Sequence, residues 1–148
     1  MNNEFERVTI KREGEMLETG GDISIELKHL SSHILSESEL SVLYIIGNPY
    51  PFMVKMNADM ILEHHTKMPF KELSESITKA SVTLQADNGA TIDFVPCGEI
   101  ELLQGQVLDH SLLVVSSSCF SNNNYQNKMI EQLLNLQMQP DRKIHFNQ

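Results

Sequence analysis

Apolar and polar residues alternate along much of the first sixty positions, the pattern of strands with one buried face. Val8 and Ile10 alternate within FERVTIKRE, and Ile23, Ile25 and Leu27 within DISIELK, after the turn-forming Gly20-Gly21-Asp22. Leu40 to Ile46 is a near-continuous apolar run, which predicts a strand covered on both faces. The Gly47 to Pro51 segment, GNPYP, ends it, because neither proline can donate to a ladder. Beyond that break Phe52, Val54, Met56, Ala58, Met60 and Leu62 recur at period two, with Lys55, Asn57, Asp59 and Glu63 among the intervening positions. This predicts one long strand with a single face in the core.

A helix is expected from Pro69, where proline suits the first helical position and Phe70, Leu73, Ile77 and Ala80 recur at helical spacing, with Glu75 and Lys79 as an i,i+4 pair. A hairpin follows. A two-residue Asn88-Gly89 loop would pair Leu84 with Asp93 and put an acid on the apolar face. A three-residue loop, Asp87-Asn88-Gly89 with Gly89 left-handed, pairs Ala86 with Ala90, Leu84 with Ile92 and Val82 with Phe94, and leaves Thr83, Gln85, Thr91 and Asp93 facing solvent. The second register is predicted. Ile100 to Leu103 and Leu112 to Val115 read as two short strands, and Ser116-Ser117-Ser118 with Ser121 to Asn124 as a polar linker able to cap a helix. Tyr125, Met129, Leu133 and Leu136 form the stripe of a last amphipathic helix, Asn124 to Gln139, which Pro140 ends before a polar tail over 140–148. The order is a four-strand meander, a helix, a hairpin, two short strands and a C-terminal helix. It predicts an α+β fold with a mostly antiparallel sheet in a single domain over 1–148.

Composition narrows the class without changing that picture. At 148 residues, 41% hydrophobic and 21% charged, the chain can bury a real core and is neither collagen-like nor fully disordered. The first residues, MNNEFERVTIKRE, offer no apolar stretch for a secretory signal, and the expected location is cytoplasmic. Charge says more through its distribution than its sum. The formal balance is -9, and between Lys79 and Lys128 there is no Lys or Arg, while Asp87, Asp93, Glu99, Glu101 and Asp109 fall in that interval. Nucleic acid needs clustered cations against its phosphates, so this half of the chain is a poor partner for it. An acidic face suits a basic protein, a cation, or solubility alone.

Motif chemistry is sparse. Phosphate-binding loops, dinucleotide fingerprints, nucleophile elbows and zinc-protease helices are absent from the sequence. The two cysteines, Cys97 and Cys119, form no Cys-x-x-Cys pair and read as small apolar thiols. Among the six histidines, His29 and His33 have ligand spacing only if their segment is helical, and His64 and His65 at the end of a strand point to opposite faces. Asp93, Glu99, Glu101 and Asp109 are the candidate partner-binding residues; Glu99 and Glu101, on one strand face, would repel unless a cation or a basic partner lay between them. Met53, Met56, Met60, Met68, Met129 and Met138 offer adaptable surface for apolar segments, or fill gaps in the core.

Together these features lead to the expectation of a non-catalytic, acidic, protein-binding protein of the inhibitor, immunity or secretion-chaperone kind. No catalytic residue, metal or cofactor is assigned. Its partner would be another protein, basic or presenting apolar segments, rather than nucleic acid or membrane, and homo-oligomers are compatible with this. Two alternatives stand beside it: a structural subunit of a phage or secretion particle, and a cation-dependent hydrolase using His64 or His110 with nearby acids.

Overall fold

A computed structural model describes residues 14–18, 22–47, 51–120 and 142–147. The elements are β1 (Gly14–Glu18), α1 (Ile23–Ser36), β2 (Ser41–Ile46), α2 (Pro51–Thr66), β3 (Phe70–Glu72), β4 (Val82–Ala86) and β5 (Thr91–Pro96), then a 3-10 helix (Cys97–Leu103), β6 (Leu112–Val115), a second 3-10 helix (Ser117–Phe120) and β7 (Arg142–Asn147).

The apolar run that predicts a doubly covered strand is β2, and each of Val42, Leu43, Tyr44, Ile45 and Ile46 is at most 1% exposed. Such a strand needs neighbours on both edges and cover on both faces, which parallel sheets supply. It pairs in parallel with β5 on one side (Val42 opposite Ile92, Tyr44 opposite Phe94) and with β6 on the other (Val42 opposite Leu112, Tyr44 opposite Val114). β7 lies parallel to β6 and β1 parallel to β7, whereas β4 is antiparallel to β5 and β3 to β4. The seven-stranded order is β1-β7-β6-β2-β5-β4-β3. The fold therefore combines helices with a mixed sheet, in place of the mostly antiparallel meander that the alternation predicts.

Two of the expected meander strands are helices, for local reasons. Asp22 caps α1, its Oδ1 accepting from the Ser24 N–H at 2.9 Å, and Leu27, Leu30 and Ile34 form a buried stripe at spacings of three and four. Ile25, the middle of the alternating trio, points outward. Pro51 opens α2, in which Ala58 and Leu62 are buried while Met60, inward-facing in any strand reading, is 67% exposed. The helix expected after Pro69 is instead the short β3 followed by turns. Phe70 pairs with Ala86, and the Leu73 N–H donates to the Thr83 carbonyl at 2.9 Å.

The hairpin register agrees with expectation: Val82 lies opposite Phe94 and Leu84 opposite Ile92, and Ala86 N–H donates to Ala90 O at 2.8 Å across a loop in which Gly89 has φ +91°. Its far face is another matter. Thr83 and Asp93 are buried there rather than facing solvent, because residues 97–110 fold over them. Ile100 to Leu103, expected as a strand, lies within the first 3-10 helix, and the segment expected as a polar tail supplies β7, with Ile144 and Phe146 buried. The Asn124 to Gln139 helix and the Val8–Ile10 strand lie outside the described residues.

Two apolar layers result. α1 and α2 cover the sheet face carrying Val42, Tyr44, Ile92 and Phe94, whereas Ile100, Leu103, Leu108 and Cys119 cover the face carrying Leu43, Ile45, Val95 and Leu113.

At Gly89 a side chain would meet positive φ and approach Glu39 Cγ at 3.0 Å. Gly89→Val should therefore cost about 1 to 3 kcal/mol, against about 0.5 or less for Thr91→Val, in urea unfolding. Equal losses would contradict the loop geometry.

Candidate functional site

Part of the base-free acidic interval, residues 97–110, forms the cover over the second sheet face. Pro96 ends β5 and caps the first 3-10 helix, which turns the chain across the sheet so that Ile100, Leu103 and Leu108 face inward. Polar anchors hold this cover at both ends. Glu99 Oε1 accepts from Thr78 Oγ1 at 2.5 Å and from the Ala80 N–H at 3.2 Å, tying the helix to the turn before β4. At the other end His110 Nε2 lies 2.6 Å from Asp93 Oδ2, and Thr83 Oγ1 donates to Asp93 Oδ1. Asp93 is 8% exposed and His110 9%; the Nδ1 of His110 is buried with no hydrogen-bond partner among the described residues.

The four candidate acids thus separate into two pairs. Asp93 is buried beneath the cover and Glu99 is half-buried within its anchor, while Glu101 and Asp109 are exposed on its outer side. Glu99 and Glu101 do not share a strand face, because their segment is a 3-10 helix. Beside the exposed pair stand Leu102 at 58% and Val107 at 79% exposure. The outer side of residues 97–110 is therefore acidic and apolar, and its inner side is packed.

A second polar network lies on the helical face, and sequence reasoning missed it. Glu26 is completely buried in the first turn of α1. Its Oε1 accepts from the Tyr44 hydroxyl at 2.6 Å, and its Oε2 accepts from the Ser117 N–H at 3.0 Å and the Ser117 hydroxyl at 2.6 Å. Burying a carboxylate is costly unless such donors surround it. The signals were an acid on the apolar stripe of α1 and a serine run directly after β6. That run also grips the end of β2, since the Gly47 N–H donates to Ser118 Oγ at 2.9 Å and a Cβ at Gly47 would lie 2.6 Å from the Ser118 carbonyl oxygen.

The chemistry open to these groups is limited. Asp93 and His110 have the pairing of a base and its orienting carboxylate, but among the described residues no hydroxyl or thiol hydrogen-bonds to His110 Nδ1. Among the described residues no group of three or more His, Cys, Asp and Glu side chains is placed to hold a metal ion. His29 and His33 do share a face of α1, with ring centroids 5.2 Å apart, and His29 also meets Phe146 edge-on at 6.0 Å. His64 and His65 are successive residues of a helix rather than a strand, with rings 5.0 Å apart. No helix among the described residues is long and apolar enough to cross a membrane. No known protein family matches the chain, and no curated protein matches it.

Asp93→Ala would strip Thr83 and His110 of their shared acceptor. The expected loss is about 1 to 3 kcal/mol, with amide exchange accelerating most across residues 97–110. Unchanged exchange there would show that the anchor does not hold the cover.

Burial, reinforced by Glu26, pushes the Tyr44 hydroxyl well above its ordinary 10.0, and burial likewise raises the Cys119 thiol well above 9.0. The folded state keeps both protons after the unfolded state releases them. Stability should hold below about pH 9 and fall as pH rises through 10, because the native state then binds more protons than the unfolded one. Tyr44→Phe should flatten the decline above about pH 10, measured as urea midpoints against pH.

Proposed function

We propose that the chain is a non-catalytic protein-binding protein of the inhibitor, immunity or secretion-chaperone kind, and that its partner docks on the outer side of residues 97–110. The observation that carries this reading is Leu102 and Val107 standing exposed between Glu101 and Asp109 on a segment whose inner side is pinned. Large apolar side chains held in place lose little further entropy when covered, and nearby acids steer a basic partner into contact. The partner is accordingly a basic protein with an apolar element at its point of contact. Asp93 and Glu99 serve this surface from below, by holding the segment in place. The Asp93–His110 pair is what favours a hydrolase as the second reading, and its burial, without a hydrogen-bonded nucleophile among the described residues, weighs toward anchoring.

Affinity capture from the native host identifies the partner, and association kinetics then test the surface. Glu101→Lys with Asp109→Lys should slow association about tenfold or more at low salt and leave the unfolding midpoint unchanged, since exposed acids contribute little to folding. Raising salt should slow the unaltered protein similarly, because the Debye length is only about 8 Å at physiological ionic strength. Leu102→Ser with Val107→Ser should instead speed dissociation. Association and dissociation unaltered in both double variants would remove this segment from the interface.

A further inference from the structure

Cys97 and Cys119 are twenty-two positions apart in sequence and follow strands on opposite sides of β2, yet the fold places their side chains in one apolar layer. Cys97 follows Pro96, the residue of β5 that pairs with Ile46. Cys119 belongs to the short helix that follows β6, the strand on the other side of β2. Two strands flanking a third are about 10 Å apart, too far for a disulfide, whose Cα atoms must lie within about 7 Å. The turn after β6 narrows this gap. The Cys119 N–H donates to the Ser116 carbonyl at 3.1 Å, which folds the chain back over the end of β2, and the Cys119 thiol reaches the Ile45 carbonyl at 3.4 Å. There it is close enough to the Cys97 thiol for the two to interact, and both belong to the same apolar layer, Cys97 following the residue that lies opposite Ile46.

We propose that Cys97 and Cys119 are a redox modification site, closing a reversible disulfide across the end of β2 when a low-molecular-weight disulfide is the oxidant. The two sulfurs have different roles. Cys97 is half-buried and open to attack on a small disulfide, whereas Cys119 is buried and burial disfavours its thiolate as the first attacker. The Cys97 thiolate attacks one sulfur of the oxidant, forming a mixed disulfide and expelling the first small thiolate, which leaves as a thiol with the proton Cys97 gave up. Cys119 then loses its proton and attacks the Cys97 sulfur; the protein S–S bond forms, and the second small thiolate departs with that proton. Two protein thiols are oxidised and one small disulfide is reduced to two thiols. The bond would tie the start of the 97–110 cover to the helix whose Ser117 holds Glu26. It does not depend on the partner-binding reading, since its evidence is the placing of both cysteines in one apolar layer at the same end of β2.

The test equilibrates the folded, full-length protein with glutathione at increasing ratios of oxidised to reduced form, quenches with acid, and alkylates the remaining thiols in denaturant. Mass analysis should show both alkylation sites lost together, with no retained glutathione and no dimer, and a proteolytic fragment joining Cys97 to Cys119. Cys119→Ser should accumulate glutathione on Cys97, while Cys97→Ser should stay reduced at ratios that fully oxidise the unaltered protein. If either variant fails to fold, the fragment map of the unaltered protein decides alone. A stable glutathione adduct on Cys97, a disulfide-linked dimer, thiols that stay reduced throughout, or closure seen only in urea would each overturn the proposal.

Discussion

Everything in this fold is arranged around a strand that has no exposed side. Val42 to Ile46 are buried without a break, so side chains of both parities along β2 must meet apolar partners. Even positions meet α1 and α2; odd positions meet the irregular cover from Cys97 to Leu108 and the turn at Cys119. A one-face-buried meander could not accommodate this, because a slip or reversal of β2 would expose as much apolar surface as it buried. The parallel neighbours on both edges follow from the same constraint. Parallel pairing requires crossovers, and crossovers place helices or other chain against the faces.

The two layers differ in how they are held. On the helical side, regular secondary structure satisfies its own backbone, and one buried carboxylate, Glu26, joins α1 to Tyr44 of β2 and to Ser117 beyond β6. The other side is a cover with little regular structure, whose position depends on side-chain anchors: Glu99 on Thr78 and Ala80 at one end, His110 on Asp93 and Thr83 at the other. An irregular segment held by several polar contacts is more exposed to single substitutions than a helix that spreads its hold over a stripe.

How much of this was legible follows from the kind of signal each element carries. The hairpin could be read to the residue, because Asp87-Asn88-Gly89 and the apolar triplets on either side leave one register that keeps Asp93 off the helical face. β2 could be read from its unbroken apolar run. The two helices could not be read from period-two alternation, which three apolar positions in α1 and six in α2 satisfy by chance in helices that carry further apolar residues between and beyond them. In α1 the stripe runs on through Leu30 and Ile34, and Asp22 supplies the cap; in α2, Ile61 beside Leu62 breaks the alternation. The candidate acids were found as a charge interval, but whether each faces water depended on a long-range event, the folding of residues 97–110 over β5, which neither periodicity nor composition encodes. Cys97 and Cys119 likewise share one apolar layer only because the parallel strands β5 and β6 end on the same side of the sheet.

That long-range event also explains how one short interval can be both core and surface. With no Lys or Arg from position 80 to 127, the cover cannot neutralise its acids from within by ion pairing. Asp93 and Glu99 are instead satisfied by hydroxyls, a backbone N–H and an imidazole, donors that add no fixed cation outside. Had Lys or Arg served as the anchors, their charges would cancel the field of Glu101 and Asp109 within a few ångströms. Anchoring through neutral donors, with His110 as the one titratable exception, keeps the outer face acidic while its inner face is packed and anchored. This is the arrangement a surface needs if it is to attract a basic partner and still present Leu102 and Val107 in a fixed position when that partner arrives.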